Sequence, residues 1–301
     1  MSTYTTNDIQ ATILYSSNNN ITPVESQPFP VIPSVEQEAP DVHLEITEYN
    51  ECSPACCGSL CSRTLVSQLI FLICFVYYFV LYSINNTSEF DLCMLHHAQA
   101  RFSPDIFLRG YIWELLVSIF VHQNPWHLTS NIFSIMYMLA SFELRWGHLG
   151  TLFFFCFAGI LCGATSSLAK PSVIGCGASG PLLACMTGNM VWIAFGPDEK
   201  IENPQRHRRI LLLINALGLI ATMVGDAILV LNSDWLFHWS SILLGLCTGF
   251  ILLPYVIKVD TLPLRLLYMI SVIMVYTWVL AIFALGMWAG LTKQIIDYKM
   301  C

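Results

Sequence analysis

Residues 65–84 read LVSQLIFLICFVYYFVLYSI. Twenty residues without a charge rise about 30 Å as a helix, which matches the hydrocarbon core of a bilayer. Working outward from this run, six more apolar spans follow: His127–Trp146, Thr151–Ala169, Gly175–Phe195, Ile210–Leu231, His238–Val259 and Leu266–Leu291. Between the first and second lies a mixed loop, residues 85–124, with a semi-apolar stretch at Trp113–Val121. The fold class expected is all-α: a polytopic membrane helix bundle of seven transmembrane helices over residues 65–291. An odd number of spans puts the two ends of the chain on opposite sides, with residues 292–301 as a short tail.

Composition agrees. Of the 301 residues, 55% are hydrophobic and only 11% charged, against roughly a quarter charged in soluble domains. The net charge of −7 belongs entirely to residues 1–64, where eight acids face the single cation Arg63. The other 237 residues hold 12 acids and 12 bases and are neutral. No basic surface remains to neutralise phosphate, so no nucleic-acid partner is expected. Residues 1–64, rich in Ser, Thr, Asn, Pro and acid, read as a disordered cytosolic tail. The first ten residues lack the basic start and apolar run of a secretory signal, and an acidic, Arg-poor segment is the reverse of a mitochondrial presequence.

Lys and Arg set the expected orientation. With the N-terminus cytosolic, eight cations fall on that side and five on the other. Arg206-His207-Arg208-Arg209 crowd one short loop, where the positive-inside bias is strongest. A mitochondrial location is not expected.

Polar groups inside apolar spans are costly and so stand out. Three groups do. His127 and Asn131 lie four apart on one face of span two, with His122 in the loop before it. Ser179 sits in Gly175-Cys-Gly-Ala-Ser-Gly-Pro181, a run that taken alone reads as a packing patch between helices. His238 heads span six, ahead of Ser240, Ser241 and the helix-contact pair Gly245-x3-Gly249. Taken alone, His238 reads as an interfacial histidine. Topology joins them, because spans two, four and six all enter from the outer side. His127, Asn131, Ser179 and His238 then share one shallow layer. A serine needs an adjacent base to act as a nucleophile, and His238 can supply it. His127, Asn131 and the Ser179 N–H can donate to an oxyanion. No acid is visible near these motifs, so a Ser–His dyad is expected.

This set resembles the rhomboid family of intramembrane serine proteases. The carriers are His122-x4-His127-x3-Asn131, Gly177-Ala178-Ser179-Gly180, and His238 heading a span with Gly245. The resemblance implies Ser179 as nucleophile, His238 as base, and His127 with Asn131 as oxyanion donors, with no metal or cofactor. It implies transmembrane protein substrates within a lipid bilayer and makes span five a lateral gate. Glu143-Leu-Arg145-Trp-Gly147 is similar to the family's structural acid-and-Gly turn. A seventh span after six is similar to the secretory-pathway type, which implies an endomembrane or the plasma membrane of that pathway. The chain departs from the pattern at Glu114, where an Arg commonly follows Trp113, and at Leu183, where an aromatic often stacks on the base. It departs again at Phe237 and Ser241, where small residues are usual. Leu183 in place of the aromatic implies a less firmly held base, and activity is still expected because no proposed catalytic residue is missing. The alternative reading is a catalytically weak or inactive rhomboid-like scaffold that binds membrane clients; a transporter would need repeat symmetry, which is absent.

Four further features complete the reading. Cys52, Cys56, Cys57 and Cys61, just ahead of span one, read as S-acylation sites, and the remaining cysteines mostly as packing residues. Asn189 and Asn215 read as polar contacts between helices. Asp226, in span five, reads as bonded to a neighbouring helix or a water pocket. Asn85-Asn86-Thr87-Ser88 holds two overlapping glycosylation sequons close to the membrane.

Overall fold

The computed structural model describes residues 63–197, 203–229, 234–255, 257–259 and 261–292. Contacts divide the chain after Glu51, and all the described residues belong to the second unit. Most of the acidic tail and Cys52, Cys56, Cys57 and Cys61 lie outside the described residues.

The described residues form a helical bundle. Helix α1 spans Leu65–Asn85. Loop 1 (residues 86–124) carries the short helices α2, Leu92–His97, α3, Ser103–Leu108, and α4, Glu114–Val117. Then come α5, Pro125–Ser134, a π-helical turn at Ile135–Leu139, and α6, Ala140–Ala169. The remaining helices are α7, Ser179–Phe195, α8, Pro204–Leu229, α9, Trp235–Leu252, and α10, Leu262–Thr292. Among the described residues, five apolar stretches are long enough to cross a membrane, namely α1, Pro125–Ala169, Pro204–Gly225, Trp235–Tyr255 and α10.

The 45-residue stretch is two expected spans in one. It breaks at Gly147, whose φ of 71° and ψ of 174° are non-helical. A residue without Cβ takes that conformation at little cost. Glu143, 1% exposed, turns this corner into an anchor for α1. Its carboxylate accepts from the Val66 N–H (2.7 Å), the Ser67 N–H (2.8 Å) and the Ser67 hydroxyl (2.6 Å), with His148 Nδ1 at 2.5 Å. These are N–H groups that the first turn of a helix cannot bond internally. The N-cap residue, Thr64, makes no side-chain cap bond of its own.

Helix α7 lies at the centre. Every residue from Ser179 to Asn189 is buried, between α6, α8 and α9. The helix begins at Ser179, four residues later than its apolar run suggests. Gly175 is drawn instead into an antiparallel bridge with Arg101, and Gly177 has φ of 108°. At 17 residues α7 rises about 26 Å, short of a bilayer core. Its far end is capped by Arg208, which donates to Ala194 O (3.0 Å) and Gly196 O (2.9 Å). Cations favour that end of a helix dipole.

By contrast, α8 and α10 are peripheral, with 6% of their most apolar windows buried against 56% for α9. Met138, Leu183 and Met186 are buried together, and Leu219 and Met223 of α8 pack against them. Trp278 of α10 donates to Thr165 Oγ1 on α6 (3.0 Å). The other polar residues sort as follows. Asn189 accepts from Arg145 of α6 (2.9 Å), an interhelical contact as expected. Asn215 does not follow that expectation: its amide donates to Leu211 O, four residues back in the same helix. The side chain of Asp226 lies outside the described residues. Asn85 donates to Leu81 O and Asn86 is the left-handed C-cap of α1, so the sequons close that helix. Cys74, Cys162, Cys185 and Cys247 are buried free thiols, as packing residues should be.

Loop 1 is held by its own polar network. Trp113 is half exposed, and its indole N–H donates to Gln99 (2.8 Å). Glu114 is buried and accepts from the Phe102 N–H (3.2 Å), so the residue at the family's Arg position still anchors the loop, through a different bond. Asp105 binds His96 Nε2 (2.7 Å) and Arg109. Burial, with the Asp105 charge beside it, raises the Glu114 carboxyl from 4.5 to about 8, against the pull of the Phe102 N–H.

Two outcomes follow from these contacts. Glu143→Ala strands the Val66 and Ser67 N–H groups, at a cost of roughly 2–3 kcal/mol. Thermal melting in detergent should show a lower midpoint, with Glu143→Gln losing less; unchanged midpoints for both would contradict the anchor. Because the folded Glu114 carboxyl titrates above its unfolded value, its contribution is full below about pH 4.5 and is lost as pH rises through about 8. Glu114→Gln should therefore shrink the drop in midpoint between pH 5 and pH 8.5. An identical drop in the variant would remove the assignment.

Candidate active site

Four local structures converge at the loop 1 end of α5, α7 and α9. Helix α5 starts where Pro125 fits the first helical position and the Asn124 side chain accepts from the His127 N–H (2.8 Å). That cap fixes His127 and Asn131 one turn apart, both buried, at 3% and 2% exposure. Helix α9 starts at Trp235, three residues before His238, because Asp234 caps it by accepting from the Phe237 N–H (3.2 Å). His238 thus lies one turn inside the helix, where the sequence alone put it at the start.

Ser179 Oγ lies 2.7 Å from His238 Nε2, both residues buried. At that distance the hydroxyl can donate to an Nε2 that carries no proton. The two side chains are 59 residues apart in sequence and meet only because α7 and α9 pack closely. A Cβ on Gly245 of α9 would fall 2.0 Å from Thr187 Oγ1 and 2.2 Å from Ala184 O of α7. Likewise, a Cβ on Gly180 would fall 2.3 Å from the Phe237 ring. The bulky residue before His238 is accommodated by the bare glycine after Ser179. Leu183 packs with Met138 and Met186. Ser241 donates to Phe237 O (2.7 Å), so its hydroxyl is satisfied within α9.

Gly177 forms the other wall. It takes φ of 108°, and its N–H donates to Ser118 O (2.9 Å). A Cβ there would fall 2.5 Å from His127 Nε2 and 3.7 Å from Asn131 Nδ2. Both nitrogens therefore face the bare side of Gly177, two residues from Ser179. Asn131 Nδ2 also donates to His127 O (3.0 Å). As the first residues of α7, Ser179 and Gly180 present N–H groups that have no intrahelical partner by position. His122 stays behind this layer: its Nδ1 bonds Phe120 O (3.1 Å) and its ring lies edge-on to His127, centroids 5.1 Å apart. Burial lowers the His122 pKa to about 4, against the Phe120 bond, which leaves the ring neutral.

An acid and a cation missed by the sequence reading stand beside the pair. Asp234 accepts from Arg101 (2.5 Å) and from Ser166 of α6 (2.5 Å). Burial opposes its charge, but Arg101, Ser166 and the Phe237 N–H hold its carboxyl below the usual range. The one available signal was Asp234 four residues ahead of His238, in the cap position of a helix. Among the described residues no cluster of His, Cys, Asp and Glu could hold a metal ion.

The family profile of the rhomboid domain matches residues 109–255, from the end of α3 to the turn after α9. No curated protein matches the chain. The matched stretch carries His122, His127, Asn131, Ser179 and His238 in that order. The chain thus carries a rhomboid domain within a bundle of apolar helices, the build of an integral membrane protein.

Proposed function

We propose that this protein is an intramembrane serine protease that cleaves single-span membrane proteins in or near their transmembrane segments. The observation that carries the reading is the 2.7 Å contact between Ser179 Oγ and His238 Nε2 in a buried site. In this reading His238 takes the Ser179 proton as the oxygen attacks the peptide carbonyl. His127 Nε2, Asn131 Nδ2 and the Ser179 N–H donate to the oxyanion of the tetrahedral intermediate. His238 then returns the proton to the leaving amine, and water repeats the cycle on the acyl-enzyme. No metal or cofactor takes part.

A substrate helix must unwind locally, because a helical amide is shielded by its own hydrogen bonds. The weakly buried α8 supports an approach from the lipid side, with that helix as the gate. The N-terminus is cytosolic and the site faces the other side of a secretory-pathway membrane. The basic residues Arg206, His207, Arg208 and Arg209 support this orientation. Residues 1–64 serve as a cytosolic regulatory or sorting tail, with Cys52, Cys56, Cys57 and Cys61 acylated.

Co-expression with a tagged single-span reporter tests the reading. Ser179→Ala and His238→Ala should each lower cleavage by about 10³-fold or more, to background. Equal cleavage by all three proteins, or none by the wild type across a reporter panel, would favour a client-binding scaffold. Gly177→Ala should lower cleavage at least ~10-fold, because its methyl displaces His127 and its φ is strained. Full activity in this variant would remove His127 from the oxyanion layer.

A further inference from the structure

Arg101 is an unusual residue for a loop. It is 2% exposed, in a part of loop 1 that precedes the matched rhomboid stretch. Its backbone pairs with Gly175 in both directions, N–H to carbonyl, at 3.0 Å each. Its guanidinium lies where a Cβ on Gly175 would be, 2.3 Å from Cζ, and stacks on the Phe237 ring at 4.0 Å. Its Nη2 donates to Asp234 Oδ2. Gly175 is four residues ahead of Ser179, and Asp234 is four residues ahead of His238. One side chain and its own backbone thus grip the roots of both segments that carry the reactive pair. Ser166 adds α6 to the same carboxylate.

Resting on the protease reading, we propose that Arg101 and Asp234 are a positioning pair, which sets the Ser179–His238 distance and neutralises the charge below His238. The charge argument is separable from the mechanical one. A buried Asp234 without Arg101 would favour the protonated imidazole, which cannot accept the serine proton. A buried Arg101 without Asp234 would do the opposite. Paired, the two charges cancel and bias the imidazole toward neither form. Among the described residues, His127 from α5 and the Ser179 hydroxyl from α7 also face the base. On α6, Cys162 meets Ser240 and Ser241, and on α10, Ser271 meets Cys247, farther along α9. None of these supplies a fixed charge.

The test is the rate of Ser179 labelling by a fluorophosphonate in membranes, measured from pH 4 to 9. It compares wild type, Arg101→Met, Asp234→Asn, the double variant and Arg101→Lys. Each single neutralisation should slow labelling about tenfold or more at pH 7.5. The acid limb of the rate–pH profile should move up by about one pH unit in Arg101→Met and down in Asp234→Asn. In the double variant the limb should return to its wild-type position although the rate stays low, and Arg101→Lys should keep that position. If Arg101→Met does not fold, Asp234→Asn and Arg101→Lys decide. Slower labelling with an unmoved acid limb in Asp234→Asn would reduce the pair to a structural tie and overturn the proposal, as would unchanged rates. Absence of Ser179 labelling in the wild type would instead overturn the protease reading itself.

Discussion

A hydroxyl on one helix and an imidazole on another can share a proton only if their backbones approach to near contact. That constraint organises this molecule. Helix α7 meets α9 where Gly245 leaves no room for even a methyl group against Thr187 and Ala184. In a bilayer, such approach rests on packing and hydrogen bonding, since lipid supplies no hydrophobic drive between helices. Thr187 adds one of those bonds by donating to Ile242 O of α9 (3.2 Å) as well as to its own helix. Gly180 and Phe237 interlock at the same level, which turns an oversized neighbour of His238 into a fitted contact.

Irregular backbone interrupts the helices around this contact. Gly177 leaves helical space so that His127 and Asn131 can face the stretch before Ser179. The π-helical turn after α5 and the break at Gly147 let one 45-residue run pass the core twice. Glu143 then ties the second corner to the start of α1. Ser118 O satisfies the Gly177 N–H, and Glu143 satisfies N–H groups of the first turn of α1.

Much of this was legible in the residues. Polar side chains in apolar spans are expensive, so His127, Asn131, Ser179 and His238 announced themselves, and the order of the spans put them at one end. Span boundaries were less legible. Hydropathy does not sense a cap or a positive φ, so the starts of α7 at Ser179 and α9 at Trp235 had to come from Gly177 and Asp234. Asn215 read as an interhelical contact, but spacing cannot tell whether an amide turns outward or back onto its own helix. Arg101 and Asp234 were invisible for a plainer reason. A charge in a loop looks solvated, and nothing in linear sequence joins two residues 133 apart. The dyad expected from sequence therefore has an acid and a cation beside it, paired to one another.

The most direct measurement is mass-spectrometric mapping of the adduct formed when the full-length protein, in native membranes, reacts with a fluorophosphonate. A nucleophilic Ser179 activated by His238 predicts one phosphonylated serine, in the peptide carrying Gly175–Pro181, and no adduct in His238→Ala. An unmodified Ser179 in folded wild-type protein, or modification that persists undiminished without His238, would contradict the account.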